Sequence, residues 1–393
     1  MKPFTYYNPT RLVFGRGRIA ELRELLPKDT RILVTYGGGS VKRNGVYEQV
    51  EAALEGFDHV EFWGIEPNPK VETLEKAIEL GRREKAGFVL SVGGGSVLDG
   101  SKLIACALAL PEGTSAWELV LSRRPKACLP YADVMTLPAT GSEMNDNGVI
   151  SRLATDEKIS FVAPRHPEFS ILDPDTCRSL PKNLMRASLA DIVAHVLEQY
   201  LTQPGQSRTM DRWAEGILHT VIEIAPKLLA ERPASDAVLD DYMLSATLAL
   251  NEMIAMGVNQ DWATHAIGHE ITAFTGTPHG ASLALVFPAL CRVRFGLKKN
   301  KLAQMGERIF GLVDTDRDSL ARGAIESLED FFASLGLPTR LDEAGIPVEV
   351  DAKIVERFRE RGWKLGEDRA MTVDEIAAVL RAARPCRPCR QGC

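Results

Sequence analysis

Cysteine and histidine are scarce in this sequence, with seven of each among 393 residues, and it has neither a long apolar run nor a surplus of basic residues. The longest apolar runs, such as 103–111 and 282–290, span about nine residues, whereas a membrane-spanning helix needs roughly twenty. Lys and Arg total 47 against 53 Asp and Glu, which gives a net charge of -6. These absences argue against a membrane protein and against a nucleic-acid-binding protein.

The few cysteines also bear on the cellular compartment. Four of them are scattered singly, without the spacing of a disulfide framework: Cys106, Cys128, Cys177 and Cys291. No apolar signal-peptide core follows the first seven residues. We therefore expect a reduced, cytoplasmic protein. Apolar residues make up 45% and charged residues 25%, which is typical of a globular protein with a large core.

Strand and helix patterns alternate in the first half of the chain. Short apolar runs predict strands at 31–36, 59–65, 87–92, 133–137 and 169–172, with amphipathic helical stretches between them and a hairpin near 149–161. Strands separated by single helices form right-handed βαβ units. The fold class is therefore α/β, with a Rossmann-like parallel sheet.

Helical periodicity replaces the strand patterns after Asp173-Pro174 and predicts eight or nine further helices, one of them at 237–256. We predict three parts: a dinucleotide-binding α/β domain at 1–178, an all-helical domain at 179–384 and a disordered tail at 385–393. The tail contains Cys386-x-x-Cys389, a pattern found in zinc and redox sites. A terminus rich in proline and arginine is far more often disordered, and we predict that state here.

A run of three glycines, Gly93-Gly94-Gly95, stands between a buried strand and a helix and is followed by Ser96. Glycine lets the backbone approach a pyrophosphate closely, and the helix N-terminus offers N–H groups to it. Ser96 is a candidate cap for that helix. The pattern predicts a dinucleotide turn rather than a plain tight turn.

A second glycine cluster, Gly37-Gly38-Gly39-Ser40, ends the preceding strand. In nucleotide-binding folds an acidic residue in this neighbourhood accepts a hydrogen bond from the ribose of NAD and repels a 2′-phosphate. No Asp or Glu is present here, whereas Lys42 and Arg43 follow directly. The cluster therefore favours NADP. A third match to a dinucleotide motif, Gly15-Arg16-Gly17-Arg18-Ile19-Ala20, has no acidic residue about twenty positions on, and we interpret it as a turn into a helix.

Potential metal ligands are concentrated in the helical half. Asp191 and His195 are spaced i, i+4, as are His265 and His269, and His279 follows ten residues later. One helical turn places each pair on one face. Three imidazoles and a carboxylate suit Zn²⁺ or Fe²⁺ better than Mg²⁺ or Ca²⁺. Spacing alone leaves open which of His265 and His269 binds the metal.

Taken together, these motifs resemble the iron-containing (group III) alcohol dehydrogenases, in the branch of NADPH-dependent butanol dehydrogenases and aldehyde reductases. The resemblance extends from about Thr5 to Arg384. It is carried by the segments 36–42, 93–99, 136–143 (Thr-Leu-Pro-Ala-Thr-Gly-Ser-Glu) and 261–265 (Asp-Trp-Ala-Thr-His). It implies the two-domain fold shared with glycerol dehydrogenase and dehydroquinate synthase, and an assembly that is a dimer or larger; we expect a homodimer.

The resemblance also implies the residues of the site. It implies a metal held by Asp191, His195, His265 and His279, with His269 beside it in a catalytic role. Asp99 is a second catalytic candidate. The implied cofactor contacts are Gly37, Gly38, Gly39, Ser40, Gly94, Gly95, Ser96, Asp99, Thr136, Thr140, Ser142 and Lys158.

The implied reaction is reversible hydride transfer between NADP(H) and aldehydes or primary alcohols, assisted by one divalent metal, Fe²⁺ or Zn²⁺. An NAD-dependent polyol dehydrogenase of the same fold is an alternative, which the glycine cluster at 37–40 disfavours. A lyase of the dehydroquinate synthase type would need an extra basic cluster beside the metal segments, and none is present. A metal-dependent hydrolase or a non-catalytic metal or nucleotide sensor would be alternatives from other classes; in a hydrolase the glycine turns would have no function.

Overall fold

The computed structural model describes residues 1–384 and divides into two compact units. The first, which we call the α/β unit, comprises Tyr6–Pro181 and Arg232–Glu252. The second, the helical unit, comprises Met1–Thr5, Lys182–Glu231 and the described part of the chain that follows from Met253. The predicted tail at 385–393, with Cys386 and Cys389, lies outside the described residues.

Eight strands form two sheets in the α/β unit. The strands are β1 Arg11–Phe14, β2 Ile32–Tyr36, β3 His59–Phe62, β4 Phe88–Gly94, β5 Tyr131–Leu137, β6 Asn147–Arg152, β7 Glu157–Val162 and β8 Phe169–Leu172. Six of them form a parallel sheet in the order β1-β8-β5-β4-β2-β3, while β6 and β7 form an antiparallel hairpin. Every residue of β2 and β8 is buried, as expected for central strands that are covered on both faces.

The helices of the α/β unit lie between these strands in the chain, except the last of them, which follows β8. They are α1 Leu22–Leu25, α2 Val46–Leu54, α3 Val71–Arg83, α4 Gly95–Leu108, α5 Ala116–Leu121 and α8 Asp236–Ala249. One apolar cluster joins α3, α4 and α5 to one face of the sheet, and another joins α1 and α2 to the strands from the other side. The predicted α/β class and parallel sheet are confirmed.

The remaining helices belong to the helical unit: α6 Lys182–Tyr200, α7 Arg208–Leu229, α9 Ala263–Thr275, α10 His279–Val293, α11 Phe295–Arg308, α12 Arg317–Ser334, α13 Glu349–Arg361 and α14 Val373–Ala382. An apolar core formed by α9, α10, α13 and α14 includes Ile267, Leu285, Phe358 and Leu380. In residues 1–384 no single helix is long and apolar enough to span a membrane; α10 and α11 pass that test only as a pair bent by 113°.

Two features differ from the sequence-based expectation. The helix predicted at 237–256 ends at Ala249, because the Leu250 carbonyl accepts a hydrogen bond from the Asn145 side chain and Glu252 adopts a left-handed conformation. In addition, residues 232–252 group with the α/β unit, where Arg16 forms an ion pair with Asp240 of α8. The functional boundary predicted at 178/179 stays a prediction.

Candidate metal centre and cofactor turns

Helix α6 carries three polar side chains along one face. Asp191, His195 and Glu198 are spaced i, i+4 and i+7, so they lie above one another at successive turns. All three are almost fully buried although they are polar. Buried charged groups are stable only when they are paired or bind a metal. The α6 face is therefore a specialised polar stripe within an apolar helix.

Helix α9 begins two residues before His265, and its first turn places this side chain beside the polar face of α6. The Asp261 carboxylate accepts a hydrogen bond at 3.0 Å from the backbone N–H of Ala263, the first residue of the helix. The buried Lys298 ammonium contacts Asp261 at 2.7 Å and the Leu201 carbonyl, just beyond α6, at 2.6 Å. These contacts anchor the start of α9 to the end of α6.

Three candidate histidine ligands surround the fourth candidate, Asp191. Its Oδ1 atom lies 3.7 Å from His195 Nδ1, 3.8 Å from His265 Nε2 and 3.6 Å from His279 Nε2. Ligand atoms of one Asp191–His195–His265 group all lie within 4.8 Å of one another. Ligands about 2.0–2.2 Å from a tetrahedral metal stand at comparable separations from one another. The residues that the sequence analysis proposed as ligands are thus brought together.

The hydrogen bonding of these atoms fits a divalent cation as their shared partner. Asp191 Oδ1 and His265 Nε2 are buried, and neither has a hydrogen-bond partner. Buried polar atoms nearly always have hydrogen-bond partners, so two facing buried atoms without such partners need an explanation. A divalent metal bound by nitrogen and carboxylate donors supplies it. The residues therefore fit the metal that the resemblance implies.

The charge balance at His265 supports the same conclusion. Burial alone would lower the pKa of His265, but the carboxylates of Asp191 and Glu198 outweigh it and raise that pKa to about 9. Without a metal, the buried carboxylates therefore favour a positive charge at this position. A bound divalent cation would supply that positive charge with His265 neutral, because a ligating histidine must be neutral.

Glu198 was missed by the sequence analysis. One of its carboxylate oxygens accepts a hydrogen bond from the Thr264 backbone N–H at 2.6 Å, and the other lies 3.1 Å from His265 Nδ1. The signal for it was present, because Glu198 continues the i, i+4 spacing of Asp191 and His195 by one more turn.

His279 is the first residue of α10, and the next residue fixes how closely that helix approaches α6. A Cβ atom on Gly280 would lie 1.9 Å from the Ala187 carbonyl oxygen of α6. Only glycine permits this approach. Gly280 thereby allows His279 to reach Asp191, a requirement that spacing alone did not reveal.

His269 lies beside the group of ligands. Its ring centroid is 4.9 Å from that of His279 and 6.3 Å from that of His265. His269 is half-buried, whereas His265 is buried. The Trp262 ring stands edge-on to His265 at 5.2 Å and adds an aromatic wall to this region of the helical unit.

The Gly93–Ser96 turn occupies the predicted position in the α/β unit. Gly93 and Gly94 end β4, and Gly95 begins α4. A Cβ atom on Gly95 would lie 2.5 Å from Thr140 Oγ1, so the two turns approach each other closely. The expected cap is wrong: the α4 N-cap is Gly94, and Ser96 Oγ instead accepts a hydrogen bond from the Asn68 N–H at 3.2 Å.

Asp99 lies one turn into α4, and both of its carboxylate oxygens accept hydrogen bonds. Ser142 Oγ donates to Oδ1 at 2.6 Å, and the Val149 N–H donates to Oδ2 at 3.0 Å. Burial raises the pKa of Asp99 and lowers that of the neighbouring Lys102 amine. Lys102 Nζ donates to the Ser142 carbonyl at 2.8 Å. Asp99 and Lys102 therefore hold the 142–149 segment against the first turns of α4.

Other predicted cofactor residues also lie in the α/β unit. Thr136 is buried in β5, and Lys158 of β7 donates to the Asn68 side chain at 2.8 Å.

The Gly37–Ser40 cluster forms a turn immediately after β2. Gly39 has a φ of 89°, which a glycine adopts without strain, and Ser40 begins a short 3-10 helix. The Lys42 ammonium lies 3.9 Å from the centroid of the Trp63 ring. The third glycine motif is, as interpreted, a turn: Gly15 follows β1, and a 3-10 helix begins at Arg18.

Comparison with known families gives matches to both halves of the chain. The model for the iron-containing alcohol dehydrogenase matches residues 9–174. The model for the C-terminal part of the Fe-containing alcohol dehydrogenase family matches residues 186–384.

Individual relatives match over nearly the full length. The NADPH-dependent aldehyde reductase YqhD of Escherichia coli is 44% identical over 388 residues, which cover 98% of this chain and 100% of that protein. A probable NADH-dependent butanol dehydrogenase 1 of Bacillus subtilis is 37% identical, with coverage of 98% and 100%. The crystal structure of E. coli K-12 YqhD has a TM-score of 0.95 at 44% identity and covers 98% of this chain and 99% of that one.

Proposed function

The chain belongs to the iron-containing alcohol dehydrogenase family, and from that premise we propose that Asp191, His195, His265 and His279 hold its catalytic metal. The chain is a metal-dependent oxidoreductase that interconverts aldehydes and alcohols with NADP(H), as its similarity to YqhD and the butanol dehydrogenases supports. We further propose a broad range of aldehydes and primary alcohols as substrates. The observation that carries the metal assignment is the pair of facing, buried, unpartnered atoms, Asp191 Oδ1 and His265 Nε2.

When bound, the divalent metal supplies a Lewis acid for the carbonyl oxygen and the dinucleotide supplies the hydride. The three imidazoles and one carboxylate would hold the cation with a single formal negative charge, which comes from Asp191. The buried surroundings of α6 and α9 exclude water and strengthen the electrostatic interactions of these side chains. The ligand set suits Fe²⁺ and Zn²⁺.

His269 is the proposed proton carrier. Reduction of an aldehyde creates an alkoxide, which must gain a proton before the alcohol leaves. The His269 imidazole stands beside His279 and is half-buried, so it can hold a proton at a ring nitrogen close to the metal ligands while exchanging it with solvent. Asp99, whose two oxygens are both engaged, acts by positioning the Ser142 turn.

The proposed cofactor contacts all belong to the α/β unit. The Gly94–Ser96 turn and the N-terminus of α4 bind the pyrophosphate through backbone N–H groups. Gly37 to Ser40 bind the adenine ribose, and the exposed Lys42 and Arg43 provide positive charge for a 2′-phosphate. Asp99, Thr136, Thr140, Ser142 and Lys158 complete the proposed set.

Metal removal tests the proposal directly. Dialysis against a chelator should abolish NADPH oxidation with butanal, followed at 340 nm, because the carbonyl oxygen then lacks its electrophile. Adding Fe²⁺ or Zn²⁺ should restore the activity, whereas Ca²⁺, which prefers oxygen ligands, should not. Full turnover in a preparation shown to be metal-free by elemental analysis would contradict the mechanism.

The preference for NADP(H) is tested at Gly38. A side chain at this position meets nothing within 4 Å, and its φ is not positive, so Gly38→Asp should fold normally. The new carboxylate should repel the 2′-phosphate and accept from a ribose hydroxyl, raising the KM for NADPH about 10-fold or more and lowering that for NADH.

The isosteric, uncharged Gly38→Asn variant is the control for that experiment. It should keep the wild-type ratio of kcat/KM for NADPH and NADH within a few-fold. An unchanged ratio in Gly38→Asp would place the ribose elsewhere.

We also propose a homodimer in the cytoplasm. In the described part of the chain, strand β1 pairs with β8 on one side and leaves its other edge open, and edges of this kind readily pair with a second chain. The cysteines at 106, 128, 177 and 291 are free thiols, which is consistent with a reducing compartment.

A further inference from the structure

We propose that Glu198 is a positioning residue for the metal centre: it fixes the tautomer and ring orientation of His265 and sets the reach of α9 toward Asp191. The proposal rests on the proposed function in that it takes His265 as a metal ligand. Among the described residues, Glu198 is the carboxylate that touches a proposed ligand from the side opposite to Asp191.

The two imidazole nitrogens of His265 face two different carboxylates. Nδ1 lies 3.1 Å from Glu198, within hydrogen-bond distance, whereas Nε2 lies 3.8 Å from Asp191 and has no hydrogen-bond partner. A carboxylate accepts hydrogen bonds but does not donate them when ionised. The proton of neutral His265 therefore belongs on Nδ1, and the lone pair of Nε2 is directed to the side where Asp191 and His279 stand.

The second oxygen of Glu198 ties the same side chain to the backbone. It accepts the Thr264 N–H at 2.6 Å, one residue before His265 and in the first turn of α9. In addition, the Glu198 carbonyl accepts the Asp261 N–H at 2.9 Å. Glu198 thus holds both the imidazole and the helical turn that carries it, so neither can rotate without breaking a buried, charge-assisted hydrogen bond.

Such an outer carboxylate raises the basicity of the imidazole and pre-orients it, and loss of one typically weakens metal binding 10- to 100-fold. A purely structural cap would behave differently. Its loss would lower the melting temperature of the metal-free protein, but a folded variant would still bind the metal as tightly and with the same ligand geometry.

The test compares Glu198→Gln and Glu198→Leu with the full-length wild-type protein. The dissociation constant for Co²⁺ is measured by competition with a chromophoric chelator, and the visible d–d bands report the ligand geometry. We expect Glu198→Leu to bind Co²⁺ 10- to 100-fold more weakly. Glu198→Gln, which keeps one acceptor but loses the charge, should fall between Leu and wild type. Both variants should show shifted d–d bands. If Glu198→Leu does not fold, the Co²⁺ affinity and bands of Glu198→Gln decide whether Glu198 positions His265.

Glu270→Gln is the matched control. Glu270 is an equally buried carboxylate on α9, but it binds Arg357 and Arg361. This variant should lower the melting temperature while leaving the Co²⁺ dissociation constant and the bands unchanged.

Two negative results are distinguishable. Wild-type affinity and bands in the folded Glu198 variants would overturn the role of Glu198 alone. Failure of the wild-type protein to bind Co²⁺ stoichiometrically, or unaltered binding after Asp191→Ala, would overturn the metal site and with it the proposed function.

Discussion

His265→Ala is expected to lose bound metal and turnover together, whereas His269→Ala is expected to keep most of its metal and lose turnover. The reason is positional. His265 Nε2 lies 3.8 Å from Asp191 Oδ1 in the group of buried ligands, while His269 is half-buried and lies next to the ring of His279.

The sizes of the two effects should also differ. Loss of a ligand removes more than an outer hydrogen-bond partner does, so His265→Ala should weaken metal binding by more than about 100-fold. His269→Ala should lower kcat about 10-fold to a few hundred-fold, the scale of a general acid–base contribution. Metal content by elemental analysis, measured beside kcat, separates them. Metal loss in His269→Ala with retention in His265→Ala would show that the roles are exchanged.

Gly280→Ala should lose its bound metal although the substitution replaces none of the proposed ligands. The added methyl carbon would stand 1.9 Å from the Ala187 carbonyl oxygen, where the neighbour is backbone and cannot move as a side chain can. Helix α10 must therefore shift away from α6 by more than 1 Å, since carbon–oxygen contacts need about 3.4 Å. Metal–ligand distances tolerate only about 0.2 Å. His279 is then withdrawn from Asp191, and we expect metal affinity to fall at least about 100-fold.

Gly296→Ala is the control for this substitution. Gly296 is likewise the second residue of a helix in the helical unit, but a Cβ atom there meets nothing within 4 Å. It should bind metal normally and be as stable as wild type or more so, because alanine favours helix. Gly280→Ala should also lose about 1–3 kcal/mol of stability through overpacking. Stoichiometric, tight metal binding in Gly280→Ala, measured by equilibrium dialysis, would refute the steric argument.

The sequence allowed the sheet to be predicted well, because each central strand is a short apolar run bounded by glycine or proline. The helix break after Ala249 was not predictable in the same way. Residues 237–256 contain no proline and no glycine, so their periodicity continues through the break. The helix ends there because a distant residue, Asn145, binds the Leu250 carbonyl, and sequence spacing contains no such tertiary contact.

At the site, the residue types pointed to a metal because two pairs of potential ligands recur at i, i+4 spacing and a fifth follows ten residues later. Spacing left His265 and His269 equivalent, since both lie on one face of α9; the contact with Glu198 distinguishes them. Glu198 itself was recognisable from its i+7 relation to Asp191. The requirement for glycine at position 280 was not recognisable from the sequence, because it arises only where α10 contacts the backbone of α6. Ser96 had a suitable position for a helix cap, but its hydroxyl oxygen instead accepts a hydrogen bond from the Asn68 N–H.

The path of the chain between His195 and His265 has a consequence for synthesis on the ribosome. After Glu231 the chain leaves the helical unit, contributes α8 to the α/β unit and returns at Met253. Asp191 and His195 therefore leave the ribosome first. His265 and His279 follow only after the segment 232–252, which belongs to the α/β unit. A nascent chain that stops before residue 279 cannot complete the ligand set, so metal capture should be a late event in biogenesis. For the same reason, neither unit corresponds to one uninterrupted stretch of the gene, and a fragment cut at residue 179 would take α8 away from its partners.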